Sequence, residues 1–169
     1  MRRQVYVDIG SNIDRDKHIC EAIIALKRDF PDVVLSQPVE SEAEGFDGPD
    51  FINLCAGFET TLSYEDLKAY LVGLEKRQLR VRGEKKYDSR TLDIDILLFG
   101  DEVLKPSVDV PRAEILKFPF VLYPLAEIAG ECVHPELGIT INEVVEQQAL
   151  DKDGIRPASL SCLVDGEPS

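Results

Sequence analysis

The chain of 169 residues contains no tryptophan, one methionine, two histidines and four cysteines. Cys20, Cys55, Cys132 and Cys162 have no close spacing, and only His18 and His134 are available to join them. Neither a zinc site nor a disulfide framework is indicated, and the four are expected as core thiols. Two histidines this far apart also give no basis for a Ser-His-Asp triad, and no Gly-x-Ser-x-Gly elbow is present. The chain lacks a Gly-x-x-x-x-Gly-Lys-Ser/Thr element and a Gly-x-Gly-x-x-Gly loop as well, which argues against a P-loop or protein-kinase site. No apolar run approaches the ~18 residues of a membrane span. The short apolar run near the start is broken at Asp8, unlike a secretory leader, so a cytoplasmic protein with no membrane partner is expected. Positive charge is scarce: 19 Lys and Arg face 32 Asp and Glu, for a net charge of −13. That balance opposes a nucleic-acid partner bound by neutralising phosphates over a broad surface.

What is present is a composition, 44% hydrophobic and 30% charged, that suits one folded domain over residues 1–169. Its basic residues are unevenly placed. Lys76, Arg77, Arg80, Arg82, Lys85, Lys86 and Arg90 stand close together with only Glu84 and Asp88 among them, so this segment carries about +5 while the rest carries about −18. It leads directly into Arg90-Thr91-Leu92-Asp93-Ile94-Asp95-Ile96, where two aspartates alternate with apolar residues at strand spacing. Side chains two apart on a strand share a face, so Asp93 and Asp95 point one way while Ile94 and Ile96 point into a core. The pair reads either as a cation and phosphate site or as the solvated face of an edge strand.

Alternation and turn residues predict a first strand at residues 5–9, stopped by Gly10-Ser11-Asn12. Ile19, Ile23, Leu26 and Phe30 then recur at helical spacing, predicting a helix over residues 16–29 with Asp14 or Asp16 as N-cap and Pro31 as its stop. A second strand starts at Val33 and extends to Val39 as an edge or strand end, because Pro38 cannot donate to a ladder. An acidic loop over residues 40–50 precedes a third strand at residues 51–60. Ser63 and Asp66 resemble a capping box before Leu67, Tyr70, Leu71 and Leu74, a second helix followed by the basic loop and a fourth strand at residues 90–99. Short helices are expected after Pro111 and over residues 141–148, with an irregular tail from about residue 151. The order βαββαβ is that of a ferredoxin-like α+β unit, an antiparallel sheet with helices on one face, here with a C-terminal extension.

Grouped arginines and two aspartates suit a magnesium nucleotide. Magnesium takes oxygen ligands, keeps several waters and needs only one or two carboxylates beside substrate phosphates, while arginine supplies fixed donors to the remaining phosphate oxygens. Phosphoryl-type transfer then requires alignment and charge compensation more than covalent chemistry.

Several pieces together resemble a known family: Ile9-Gly10-Ser11-Asn12, Pro49-Asp50-Phe51-Ile52-Asn53, Leu74-Glu75, Arg80-Val81-Arg82, Ser89-Arg90-Thr91-Leu92-Asp93-Ile94-Asp95-Ile96, Val110-Pro111 and Phe120-Val121-Leu122-Tyr123-Pro124-Leu125. In this order, over roughly residues 4–147, they resemble the 6-hydroxymethyl-7,8-dihydropterin pyrophosphokinases of folate biosynthesis. The resemblance implies transfer of diphosphate from ATP to a pterin alcohol. Carried over by position, it implies that Asp93 and Asp95 hold two magnesium ions on ATP, that Arg80 and Arg90 grip the phosphates and stabilise charge during transfer, and that Arg82 assists. It makes Tyr87 an aromatic lid and Arg112 a nucleotide contact, in the place of the family's common histidine. Asn53 would read the pterin ring, with Ser41 in the first pterin loop and Phe51 and Phe120 sandwiching the ring. Glu75 is expected as a structural or positioning acid rather than the base.

This chain departs from the family pattern at Leu79 before Arg80, at Tyr87-Asp88-Ser89 before Arg90, at Phe118 where an arginine is usual, and in the acidic residues 39–45. Those departures motivate a second reading, a diverged pterin- or nucleotide-binding relative without transfer activity. A third is an acidic interaction module, which explains the charge but not the grouped site. The sequence carries no indication of oligomeric state.

Overall fold

A computed structural model describes residues 2–43, 48–82 and 92–163, with the backbone alone for 79–82. The chain builds β1 (Arg3–Ser11), α1 (Arg15–Asp29), β2 (Val34–Leu35), β3 (Val39–Ser41), β4 (Phe51–Thr60), α2 (Tyr64–Arg82), β5 (Asp93–Phe99), α3 (Pro119–Ala129), α4 (Ile141–Gln148) and β6 (Ile155–Pro157). Every strand pairing is antiparallel, in the order β5-β1-β4-β3-β6 with β2 also on β4. The expected α+β class and antiparallel sheet are therefore present.

Alternation along the long strands divides the interior in two. Val5, Val7 and Ile9 of β1, Ile52, Leu54 and Phe58 of β4, and Ile94 and Ile96 of β5 pack against Ile19, Ile23 and Leu26 of α1 and Leu67, Leu71 and Leu74 of α2. The expected helix layer lies on this face. On the opposite face Tyr6, Cys55, Leu97 and Leu98 meet Val121, Leu122 and Leu125 of α3 and Ile141 and Val144 of α4. A bulge in β5 between the partners of Tyr6 and Val7 turns both Leu97 and Leu98 to this second face. The C-terminal part thus gives the sheet a second helical layer, beyond the single covered face expected from the strand order.

The element bounds show what local signals convey. β4 and α4 coincide with expectation, and Thr140 forms the reciprocal capping box with Glu143 that starts α4. Asp14 occupies the N-cap of α1 in a left-handed conformation, without a side-chain cap bond. Ser63 Oγ accepts from Asp66 N at 3.1 Å, as expected of an N-cap. The single strand over residues 33–39 is instead two short strands, parted where Ser36 N donates to Cys55 O and Pro38 interrupts the ladder. α2 continues to Arg82, so the basic residues 76–82 belong to a helix rather than a loop. After Pro111 only a 3-10 turn forms, Ala113–Leu116.

The tail is more ordered than expected. β6 pairs with β3, and Ser161 N and Oγ donate to Asp16 at 2.6 Å. Cys162 is disulfide-bonded to Cys20 of α1, which corrects the expectation of four thiols, while Cys55 and Cys132 remain free. The partners lie 142 residues apart, so no spacing rule points to the bond. In a reducing compartment the same pair stands as adjacent thiols. Among the described residues, no helix is long and apolar enough to cross a membrane.

Candidate active site

The ladder register arranges polar side chains as a grid on the second face. One row runs Asp93, Gly10, Asn53 across β5, β1 and β4; the next runs Asp95, Asp8, Cys55. Directly paired residues share a face, and two strand spacings put Asp93 and Asn53 about 10 Å apart. Next along β4, Phe51 pairs with Ser41 of β3, which is buried. The expected metal aspartates and the expected pterin residues Ser41, Phe51 and Asn53 therefore line one continuous strip. Ile94 and Ile96 go into the α1 and α2 core, as the alternation predicts.

Gly10 makes the strip possible. A Cβ there would stand 2.5 Å from Asn53 Nδ2, so only glycine lets the amide lie across β1. Asn12 Nδ2 donates to Pro49 O at 3.1 Å and holds the turn after β1 to the entrance of β4. Nearby, Glu40 pairs with Arg15 at 2.5 Å and with Arg156 at 3.4 Å, and Arg156 reaches Asp50 at 2.5 Å. The acidic residues bordering the strip are thus tied to α1 and to β6.

Arg112 precedes the 3-10 turn, its backbone N–H donating to Leu97 O at 3.0 Å. Its guanidinium stands 3.8 Å from Asp95 and 3.2 Å from Glu114. Burial disfavours its charge, but Asp95 and Glu114 outweigh that and raise its pKa. Phe120 lies in the first turn of α3, stacked on Phe118 with centroids 5.1 Å apart. The ring expected to flank a pterin thus has an aromatic partner in Phe118.

The acids are crowded. Burial, then Asp93, pushes Asp95 up to about 6 against the pull of Arg112. Asp8 is raised well above the ordinary carboxylate range by burial and then by Asp95, while its hydrogen bond with Asn53 works the other way. Glu75 of α2 accepts from Ile94 N at 2.7 Å, and burial, with Asp93 and Asp95 adding to it, lifts it to about 7. Its place on the β5 backbone fits a positioning acid. Such crowding is relieved by a cation, and Asp93 and Asp95 are hard oxygen donors on one face of one strand. Among the described residues no group of three or more His, Cys, Asp or Glu forms a ready cage. Two carboxylates completed by water and substrate oxygens are the usual protein share for magnesium, so the donor set fits that ion.

Arg80 and Arg82 lie in the last turn of α2, and their side chains fall outside the described residues, as do Tyr87 and Arg90 altogether. Three members of the site were missed from sequence: Asp8, Glu114 and Lys68, the last acting on Asp95 and Glu75 through its charge. For Asp8 a signal existed, a lone acid within the apolar run Val5-Tyr6-Val7-Asp8-Ile9. A separate cleft of about 710 Å3 lies between α1 and α2, lined by Ala22, Ile24, Ala25, Arg28, Leu74 and Arg77. It opens on the other side of the sheet, and among the described residues Glu21 is the one carboxylate in its lining.

A family model described as 7,8-dihydro-6-hydroxymethylpterin-pyrophosphokinase matches residues 6–130. Similar proteins named 2-amino-4-hydroxy-6-hydroxymethyldihydropteridine pyrophosphokinase include one from Pseudomonas aeruginosa, 36% identical over 141 residues, covering 80% of this chain and 86% of the relative. One from Bacillus subtilis is 31% identical over 161 residues, 92% of this chain and 90% of the relative. One from Synechocystis is 40% identical over 108 residues, 63% of this chain and 55% of the relative, so the match spans about half of that longer protein.

Proposed function

The chain belongs to the 7,8-dihydro-6-hydroxymethylpterin-pyrophosphokinase family, and on that premise we propose that it transfers diphosphate from ATP to 6-hydroxymethyl-7,8-dihydropterin, releasing AMP, in folate biosynthesis. The observation that carries the reading is the strip on which Asp93 and Asp95 stand two strands from Asn53 with Arg112 at 3.8 Å from Asp95. It offers anion-binding and ring-binding groups side by side. The relatives bearing the enzyme's name lend no support to a non-catalytic pterin or nucleotide binder.

In this reading the pterin hydroxyl oxygen bonds to the β-phosphorus of ATP, the bond from that phosphorus to the oxygen bridging it to the α-phosphorus breaks, and AMP leaves with that oxygen. The hydroxyl proton is released in the same overall change. Asp93 and Asp95 would hold magnesium, two ions with ATP bound; when present, these compensate phosphate charge. Arg80 and Arg90 are assigned to the phosphates, Arg82, Tyr87 and Arg112 to the nucleotide side. Ser41, Phe51, Asn53 and Phe120 are assigned to the pterin. Glu75 fixes the start of β5 and so the aim of both aspartates. The reading makes ATP and a reduced pterin the partners and the cytoplasm the compartment.

Protein, ATP, magnesium and 6-hydroxymethyl-7,8-dihydropterin are to be incubated together and nucleotide products separated. Pterin-dependent AMP is expected. Release of ADP, or no nucleotide turnover with folded protein, contradicts the proposal.

A further inference from the structure

Asp8 is an acid that a two-aspartate cation site does not require. It is 6% exposed, and both its oxygens accept from Asn53 Nδ2, at 3.1 and 3.3 Å. Its ladder partner on β4 is Cys55, whereas Asn53 pairs with Gly10. The bond therefore runs diagonally across the ladder, over the glycine that leaves room for it. An ionised carboxylate only accepts, and here both Asp8 oxygens face the amide nitrogen. Asp8 therefore draws the NH2 end of the amide and turns the carbonyl end away. That carbonyl oxygen, Asn53 Oδ1, is buried and has no hydrogen-bond partner among the described residues. A buried acceptor left alone is costly, and native structures normally satisfy it.

We infer that Asp8 is a positioning residue that fixes the orientation of the Asn53 amide, so that its carbonyl faces the bound ring and selects a pterin edge presenting an N–H donor. The inference rests on Asn53 being a pterin contact. Without Asp8 the amide can turn over, present its NH2 to the ring and meet an N–H with an N–H. The mismatch falls on the pterin alone, because Asn53 stands away from the aspartates assigned to nucleotide.

The AMP assay on the unaltered protein decides the underlying activity first, so a failure there is separate from a failure here. KM for each substrate and the dissociation constant of 6-hydroxymethylpterin are then measured for Asp8→Ala and Asp8→Asn. Asp8→Ala is expected to raise both pterin constants about tenfold or more while leaving KM for ATP and the magnesium requirement within about twofold. Asp8→Asn, whose carbonyl can still accept from the Asn53 NH2, is expected to recover most of the loss. Unchanged pterin constants, a parallel rise in KM for ATP, or an Asp8→Asn variant as impaired as Asp8→Ala overturns the inference. If neither variant folds, the side-chain NH2 resonances of Asn53 in the unaltered protein carry the test. They are expected to keep their contact with Asp8 when 6-hydroxymethylpterin binds, and a change of partner overturns the inference.

Discussion

Val5, Val7 and Ile9 leave β1 toward α1 and α2, whereas Tyr6, Asp8 and Gly10 leave it toward the opposite face. β5 repeats the division, with Ile94 and Ile96 on one side and Asp93 and Asp95 on the other. The first face is closed by interdigitating aliphatic side chains, and its burial supplies the main favourable term in folding. The second is closed by apolar packing only where α3 and α4 cover it, and beside that cover it gathers three carboxyl groups, an asparagine amide and an arginine. Residues one position apart on one strand thus serve opposite ends. Apolar burial covers the first face and the part of the second under α3 and α4, while the strip beside that cover accepts an electrostatic cost that a bound cation and phosphates would offset.

Four changes can break or sharpen this contrast. The largest effect on activity is expected from Asp95→Ala, which should lower AMP formation at least about a hundredfold. Thermal stability at neutral pH should stay level or rise, because a crowded buried acid is removed. A large fall in melting temperature would mean that the acid face is structural. Leu54→Ala on the other face should do the reverse. Leu54 is fully buried, and its truncation is expected to cost about 2–5 kcal/mol in denaturant unfolding, with kcat and KM of the folded fraction unchanged. A smaller effect, with both consequences, is expected from Gly10→Ala. The added methyl meets the Asn53 amide, for which an overpacking cost of about 1–3 kcal/mol is typical. KM for pterin should rise while KM for ATP stays, and kinetics resembling the unaltered enzyme would show that Asn53 moves aside freely.

The smallest effect concerns pH. Asp95 and Glu75 titrate near 6 and 7 in the folded chain, against ordinary values of 3.8 and 4.5. Across that window the folded state therefore holds more protons than the unfolded one, and stability falls as pH rises. The melting temperature of ligand-free protein is expected to drop by a few degrees between those limits, less so with magnesium and nucleotide present. A flat or rising profile would contradict the crowding of the acid face.

How far the two faces could be read from sequence follows from what each signal encodes. Strict alternation in β5 separated Asp93 and Asp95 from Ile94 and Ile96, and Ser63 with Asp66 marked the start of α2, because both are short-range patterns. α3 escaped notice since Pro119–Ala129 is almost wholly apolar, with Pro124 inside it, so neither a polar stripe nor an unbroken helical signal marks it. β6 is three residues long, held by a partner more than a hundred residues away. The link from Asp8 to Asn53 depends on a register and on the missing side chain of Gly10, neither visible until the strands are paired. The Cys20–Cys162 bond is hidden by the same kind of distance.

The central claim is that Asp93 and Asp95 on β5 mark the place where nucleotide and cation meet. It is tested most directly by titrating the protein with the non-transferring analogue α,β-methylene-ATP, with and without magnesium, alongside Asp93→Asn and Asp95→Asn variants. Magnesium-dependent binding that is lost in both variants, with their folds intact, is the predicted result. Binding that is equally tight in the variants, or indifferent to magnesium, would place the nucleotide elsewhere and contradict the account.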